Sequence, residues 1–215
     1  SSGYSGMRAS DFLFSDEDDS DIFITSIDRG IVRTVNLDKG EQYPIVDYDP
    51  SEDGRGIRYN GAKTMTAVAR DPKDPNRIIV CVGGGGKFIL KQSFDGGKTF
   101  TAMNGTENTG VSLIEFNADN NKTIYAGNLV SYDDGASWST LEKTVLAVSP
   151  FDGNTVYSTT GGFAARSEDE GRTWTAYGGS LGAECMICDA FEKDVLYVGS
   201  YSGLTKILSD GTPVN

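Results

Sequence analysis

The string Ser167-Glu-Asp-Glu-Gly-Arg-Thr-Trp174 is polar in its middle and aromatic at its end, and it recurs. Ser93-Phe-Asp-Gly-Gly-Lys-Thr-Phe100 is the same string with Phe for Trp, and Ser131-Tyr-Asp-Asp-Gly-Ala-Ser-Trp138 is a third copy. Asn36-Leu-Asp-Lys-Gly-Glu-Gln-Tyr43 is a weaker fourth, and Leu208-Ser-Asp-Gly-Thr212 is a decayed fifth. Asp followed two residues later by Gly is turn chemistry. The carboxylate accepts hydrogen bonds from backbone N–H groups just ahead of it, and Gly takes a positive φ without steric cost. Apolar or aromatic residues flank the turn, so each string predicts the tip of a β-hairpin with its closing aromatic packed over it.

A second repeat lies upstream of each tip. It is an apolar strand, an Asp/Asn/Pro turn, then a strand often ending in Tyr-x-Gly, and its copies fall at 11–25, 67–83, 113–127, 146–158 and 186–199. The acids of the tips are Asp38, Asp95, Asp133, Asp169 and Asp210, at intervals of 57, 38, 36 and 41 residues. Periods near 40 with four short strands per unit predict an all-β protein, a β-propeller of four-stranded antiparallel blades. One such sheet cannot bury both faces, so the units must stack. Five units are visible, at roughly 1–48, 64–103, 110–141, 144–177 and 183–215, in a single domain or fragment. No strand is expected after Gly211. Either residues 1–8 supply the missing outer strand or the units form an arc of a larger propeller.

The tips resemble the Asp-box, or BNR, repeat, whose pattern is S-x-D-x-G-x-T-W. The resemblance covers nearly the whole chain. It implies a structural role for Asp38, for Ser93, Asp95, Gly97 and Phe100, for Ser131, Asp133, Gly135 and Trp138, for Ser167, Asp169, Gly171 and Trp174, and for Asp210. In families that carry it, the box lies at the propeller's periphery, away from the ligand face. A catalytic role for Asp95, Asp133 and Asp169 would put one acid in every blade, so no catalytic residue is assigned.

The long interval between the first two tips contains an insertion over 47–63. In a propeller, the loop leaving a blade's outer strand and the loop between its second and third strands share the face opposite the Asp-boxes. Tyr48, Asp53, Arg55, Arg58, Tyr59 and Asn60 of the insertion are therefore the first candidates for ligand binding, set against a solvated variable loop. Tyr177 and Tyr201 join them, with Phe163, as exposed aromatics on loops of that face. Flat rings beside Asn, Asp and Arg suit a sugar, although packing between blades uses the same rings.

Composition narrows the classes. Lys plus Arg is 19 against 31 for Asp plus Glu, a net charge of −12, which argues against nucleic acid or an anionic membrane as partner. No apolar run is long enough to cross a bilayer. Gly at 27 and Pro at 6, with 10 Tyr and 10 Phe, suits tight turns between strands. The chain starts at Ser1, so it reads either as a piece of a longer protein or as Met7 behind a Ser/Gly remnant.

Cys81, Cys185 and Cys188 are odd in number, and the chain has no His. Cys185-Met-Ile-Cys188 lacks further zinc ligands, and residues three apart in a strand face opposite ways, so buried strand cysteines are expected, with no metal and no cofactor. Gly83-Gly-Gly-Gly-Lys87 is followed by a strand-like Phe88-Ile-Leu90 and lacks the helix a phosphate loop needs. The acidic run Asp16-Glu-Asp-Asp-Ser-Asp21 lacks EF-hand spacing and reads as a solvated turn.

Asp-box propellers occur in sialidases, xyloglucanases, sortilin-like receptors, photosystem assembly factors and virion adhesins. Ser5-Gly-Met-Arg-Ala-Ser-Asp-Phe-Leu-Phe14 and the turn–strand repeats are most similar to the xyloglucanase and sortilin type. The Phe-Arg-Ile-Pro string of sialidases is missing. The resemblance implies a non-catalytic module that binds glycan or protein on a secreted, cell-surface or virion protein, part of a larger chain or assembly. The alternatives are a fragment of a xyloglucanase-like glycoside hydrolase, whose second carboxylate lies outside this chain, and a structural segment of a large assembly such as a phage tail fibre.

Overall fold

A computed structural model describes residues 9–14, 22–26, 30–36, 41–45, 64–84, 87–97, 99–180 and 182–214. Among them there is no helix, and the strands form five four-stranded antiparallel sheets, each a simple meander: the blades of a β-propeller. The chain divides into two compact units, Ser1–Ile114 and Glu115–Asn215.

The first unit holds two sheets. One contains β1 (Ala9–Phe14), β2 (Ile22–Ser26), β3 (Gly30–Asn36) and β4 (Glu41–Ile45). The other contains β5 (Thr64–Asp71), β6 (Asp74–Gly84), β7 (Lys87–Ser93) and β8 (Thr101–Ala102). Its core is Val68, Ile78, Val80 and Val82, with Leu13, Ile89 and Phe100 packed against them. The alternation of Ile78, Val80 and Val82 puts all three on one face of β6. Ile79 and Cys81, on the other face, are also buried, so this strand is covered on both sides, as a strand inside a blade must be.

The second unit holds three sheets, with its boundary falling inside β9 (Ile114–Phe116). That sheet continues through β10 (Ile124–Ala126), β11 (Leu129–Ser131) and β12 (Ser139–Thr140). The next has β13 (Ala147–Val148), β14 (Val156–Thr160), β15 (Phe163–Ser167) and β16 (Thr175–Ser180). The last has β17 (Ala183–Cys188), β18 (Leu196–Ser200), β19 (Gly203–Ile207) and β20 (Pro213–Val214). Ala147, Tyr157 and Ala164 of the middle sheet meet Met186, Leu196, Val198 and Ile207 of the last one in a single core cluster.

Three expectations change. A short strand does follow Gly211: Pro213 and Val214 pair with Ile207 and Lys206. The turn that returns them is tight, with Gly211 at φ 83° and its N–H donating to the Leu208 carbonyl at 2.8 Å. Two residues are too few to show a strand pattern, and Pro is tolerated there because the strand lies on a sheet edge. The cysteines, expected buried, are split: Cys81 is buried, Cys188 is half-buried and Cys185 is exposed. Cys185 and Cys188 lie on opposite faces of β17, and only the face carrying Cys188 packs against the middle sheet. Tyr177, expected on an exposed loop, is half-buried within β16.

Gly83 and Gly84 belong to β6, and Lys87 opens β7, which pairs antiparallel with β6, so a strand and not a helix follows the four-glycine run. Gly83 pairs with Phe88, and a Cβ at Gly83 would overlap the Lys87 carbonyl oxygen and lie 2.6 Å from the Phe88 Cα. Those atoms are backbone and have no rotamer to escape into. Gly83→Ala is therefore expected to destabilise the protein by about 1–3 kcal/mol, read as a lower urea midpoint. Gly182→Ala, where a Cβ meets nothing within 4 Å, is expected to leave the midpoint unchanged.

Candidate functional site

Two ends of the sheets have different chemistry. One end carries the acid–glycine turns. Ser93 Oγ donates to Asp95 Oδ1 at 2.7 Å and accepts from the Gly97 N–H at 2.8 Å. Asp95 also accepts from the Thr99 N–H at 2.9 Å and from Thr99 Oγ1 at 2.7 Å. Ser131, Asp133, Gly135 and Ser137 repeat every one of these bonds, between 2.6 and 2.9 Å. So do Ser167, Asp169, Gly171 and Thr173, between 2.7 and 2.8 Å. Gly97, Gly135 and Gly171 have φ of 84–86°, and the residue before each is left-handed too: Gly96 at 71°, Asp134 at 65° and Glu170 at 60°. The second left-handed position is Gly in each copy, where a side chain would be strained.

Each tip is tied to its own sheet. The N–H groups of Gly96, Asp134 and Glu170 donate to the carbonyls of Asn76, at the start of β6, and of Lys122 and Asn154, in the turn between the first two strands, at 2.8–2.9 Å. Asp210 departs from the pattern: it accepts the Thr212 N–H at 2.9 Å, with Leu208 standing where the other copies have Ser. Asp38 lies outside the described residues.

The same end also joins neighbouring sheets of the second unit. The Glu170 carboxylate accepts from Thr123 Oγ1 at 2.9 Å and Asn117 Nδ2 at 3.3 Å, and pairs with Arg172 at 2.7 Å. Arg172 lies 4.2 Å over the Tyr132 ring, and the Tyr132 hydroxyl donates to the Glu170 carbonyl. One sheet further on, Asp194 accepts from the Tyr157 hydroxyl at 2.9 Å and from Arg166 at 3.1 Å, while the Tyr177 hydroxyl donates to the Asp194 carbonyl. Burial pushes the Tyr157 and Tyr177 hydroxyls upward, with Asp194 adding to it, so both stay protonated donors. Tyr177 thus bridges two sheets instead of presenting its ring to a ligand. The bridging roles of Asn117, Glu170 and Asp194 are not evident in the sequence. The recurring Tyr of the second strands was the available signal, since Tyr125 and Tyr157 sit at equivalent positions and each reaches the next sheet's first turn.

The opposite end is built from the hairpins between second and third strands. Gly161-Gly162 joins β14 to β15, and Tyr201-Ser202 joins β18 to β19. Phe163 is 47% exposed and Tyr201 95% exposed, on adjacent sheets at the same end. Antiparallel topology places both away from the acid–glycine turns. Tyr48, Asp53, Arg55, Arg58, Tyr59 and Asn60 lie outside the described residues, so Tyr201 is the member of the candidate set whose ring the structure presents to solvent.

No protein-family model matches the sequence, and a search of curated proteins finds no match. Solved structures do match. A GH74 enzyme from Niastella koreensis superposes with a TM-score of 0.72 at 20% identity, covering 98% of this chain and 37% of that one. An ancestral GH74 enzyme gives 0.69 at 17%, covering 95% and 28%. YCF48 bound to D1 peptide gives 0.62 at 15%, covering 97% and 66%. The chain thus spans about a third of the length of the two GH74 enzymes. At these identities the likeness concerns the fold.

The turn acids set a pH dependence. Hydrogen bonds from the Ser137 hydroxyl and N–H and from Ser131 hold Asp133 below the usual carboxylate range. At Asp169 burial pushes upward, but the bonds from Thr173 and Ser167 outweigh it. The Thr212 N–H and hydroxyl lower Asp210. A lowered folded-state value stabilises the fold above the unfolded carboxylate value of about 4, and that contribution is lost as pH falls through the folded value. The melting temperature is therefore expected to be level near neutrality and to drop below about pH 4. Asp169→Ala is expected to lower it at pH 7 by about 2–6 °C and to flatten the acid limb. Scanning calorimetry across pH checks both.

Proposed function

We propose that the chain is a non-catalytic propeller module that binds glycan or protein through the end of the blades carrying Phe163 and Tyr201. The observation that carries this reading is the pair of exposed aromatic side chains on neighbouring hairpins. A ring held on a rigid hairpin offers a partner a flat apolar face at low entropic cost; Phe94, Phe151 and Phe191 are exposed too, but in turns of the acid–glycine end. Tyr48, Asp53, Arg55, Arg58, Tyr59 and Asn60, of the insertion over 47–63, are the further ligand contacts we infer, on their residue chemistry alone. The acid–glycine end is unsuited to the task, because its carboxylates are committed to backbone and hydroxyl donors of their own turns.

A secreted, cell-surface or virion protein, with this chain as part of a larger assembly, is the setting we infer. A net charge of −12 fits a neutral or basic ligand better than a polyanion. YCF48, a protein of similar fold, was solved with a peptide bound, which supports a protein or peptide ligand beside glycan.

The second reading is a fragment of a glycoside hydrolase, favoured by the likeness to two GH74 enzymes. A general acid for glycoside cleavage needs a raised carboxyl pKa. Among the described residues, Asp133, Asp169, Asp189 and Asp210 are lowered, opposite to what a general acid needs, which favours the binding module.

A glycan array and a peptide array probed with the intact chain test the proposal. Tyr201→Ala and Phe163→Ala are each expected to weaken the captured ligand about tenfold, the worth of one well-placed aromatic contact, with the melting temperature unchanged. The Arg58→Ala, Tyr59→Ala pair is expected to weaken it further. Binding that survives Tyr201→Ala and Phe163→Ala together would remove this end as the site, and binding that survives the Arg58→Ala, Tyr59→Ala pair would remove the insertion. Hydrolysis of β-glucan oligomers by the chain would promote the second reading.

A further inference from the structure

In four sheets the turn between the first two strands is built one way. A side-chain oxygen at its start accepts the N–H of the residue two further on: Asp71 from Lys73, Asn117 from Asp119, Ser149 from Phe151 and Asp189 from Phe191, between 2.8 and 3.2 Å. The position so fixed carries a charge in two copies, Lys73 and Asp119, and both are exposed. Asp119 is exposed although a further sheet of the same unit follows its own, so a following blade does not cover this position. In the last two sheets it is Phe: Phe151 is 41% and Phe191 92% exposed. The fold accepts a charged residue there and does not require a ring. The two turns lie side by side, since Lys193 Nζ is 3.6 Å from Asp152 Oδ2.

The surroundings set the sign of a partner. An acid follows each Phe, Asp152 and Glu192, and Asp133, Asp134 and Glu168 are exposed in turns at the same end. Hydrogen bonds within the acid–glycine turns commit the carboxylates' lone pairs but leave their negative charge in place. The lysines nearest the two Phe turns are loosely held: Lys193 to Asp152 and Lys206 to Glu192, each at 3.6 Å and at the surface. Such pairs contribute little and give way to a better partner.

The chain itself shows what completes a ring and a carboxylate. Arg77 pairs with Asp71 at 3.3 Å and lies 5.4 Å over the Phe94 ring. Arg172 pairs with Glu170 at 2.7 Å, 4.2 Å over Tyr132, and Arg166 with Asp194 at 3.1 Å, 5.5 Å over Tyr177. A guanidinium suits both groups at once, because its edge donates to the carboxylate while its face lies on the ring. Phe151 with Asp152, and Phe191 with Glu192, offer the same two components at the surface.

We infer that these two turns dock a partner protein through an arginine-bearing segment, its guanidinium groups taking the carboxylates and the faces of Phe151 and Phe191. The surface is separate from the hairpins carrying Phe163 and Tyr201, at the opposite end of the same sheets, and neither site depends on the other.

Fluorescence anisotropy of the intact chain with three short labelled peptides is the test: one alternating Arg and Leu, one Lys and Leu, one Glu and Leu. The Arg peptide is expected to bind about tenfold tighter than the Lys peptide, and to weaken as salt is raised. The Glu peptide is expected not to bind. Phe151→Ser and Phe191→Ser each remove a ring and keep the charge, at a position where other copies of the repeat are polar. Each is expected to weaken the Arg peptide about tenfold, with the circular dichroism spectrum unchanged. Glu192→Gln, at an exposed carboxylate, is expected to weaken it about threefold and to lessen the salt dependence. Tyr201→Ala is expected to leave it unchanged. An Arg peptide that fails to bind, equal binding of the Arg and Lys peptides, or binding indifferent to Glu192→Gln and to the two Phe substitutions together overturns the proposal. So does loss of the peptide on Tyr201→Ala, because the segment is then held at the other end.

Discussion

The structure depends on a carboxylate that gathers three donors from its own turn. Asp95, Asp133 and Asp169 each accept from a Ser hydroxyl two residues back and from the N–H and hydroxyl of a residue four ahead. An ionised acceptor makes these bonds stronger than neutral ones. They hold two successive left-handed residues in place, and the first of these uses its N–H to tie the tip to the other turn of its sheet. A four-residue device thus fixes the third and fourth strands against the first and second. The outer strands need little else: β8, β12 and β20 are two residues each.

The same end then does a second job in the second unit. Glu170 sits at a left-handed position inside a turn, yet its carboxylate serves Thr123 and Asn117 of the neighbouring sheet. The Asp194 carboxylate does likewise for Tyr157 and Arg166, and its backbone carbonyl accepts from Tyr177. Half-buried polar bridges of this kind cost desolvation, and they are tolerated because each acceptor is satisfied several times. Their benefit is alignment, since hydrogen bonds have direction where apolar packing has none. One end of the blades is thereby spent on holding the fold. At the other end the hairpin tips leave Phe163 and Tyr201 exposed.

The same repeat logic shapes the last sheet. A propeller blade is a two-faced sheet, and its sequence carries apolar residues for both faces wherever it sits in the series. Met186, Leu196, Val198 and Ile207 pack on the sheet before it, while Ile187 and Leu204, on the other face, are exposed.

Much of the fold was legible in the chain itself. The spacing of acid, glycine and aromatic residues, with the alternation of apolar residues between them, determines four-stranded antiparallel sheets, because turn chemistry and period-two burial are local properties of a few adjacent residues. Local patterns did not reveal β20, whose two residues carry no period, or the separate environments of Cys185 and Cys188, which share a strand but not a neighbour. They also did not separate Tyr177 from Tyr201, alike as residues and opposite in exposure. Those outcomes depend on which sheet lies against which face, a contact between segments tens of residues apart. The sequence determined that Asp95 and Asp133 close turns, because their donors lie within four residues of them; only the tertiary structure decided that Glu170 and Asp194 bridge sheets, because their donors are brought near by packing.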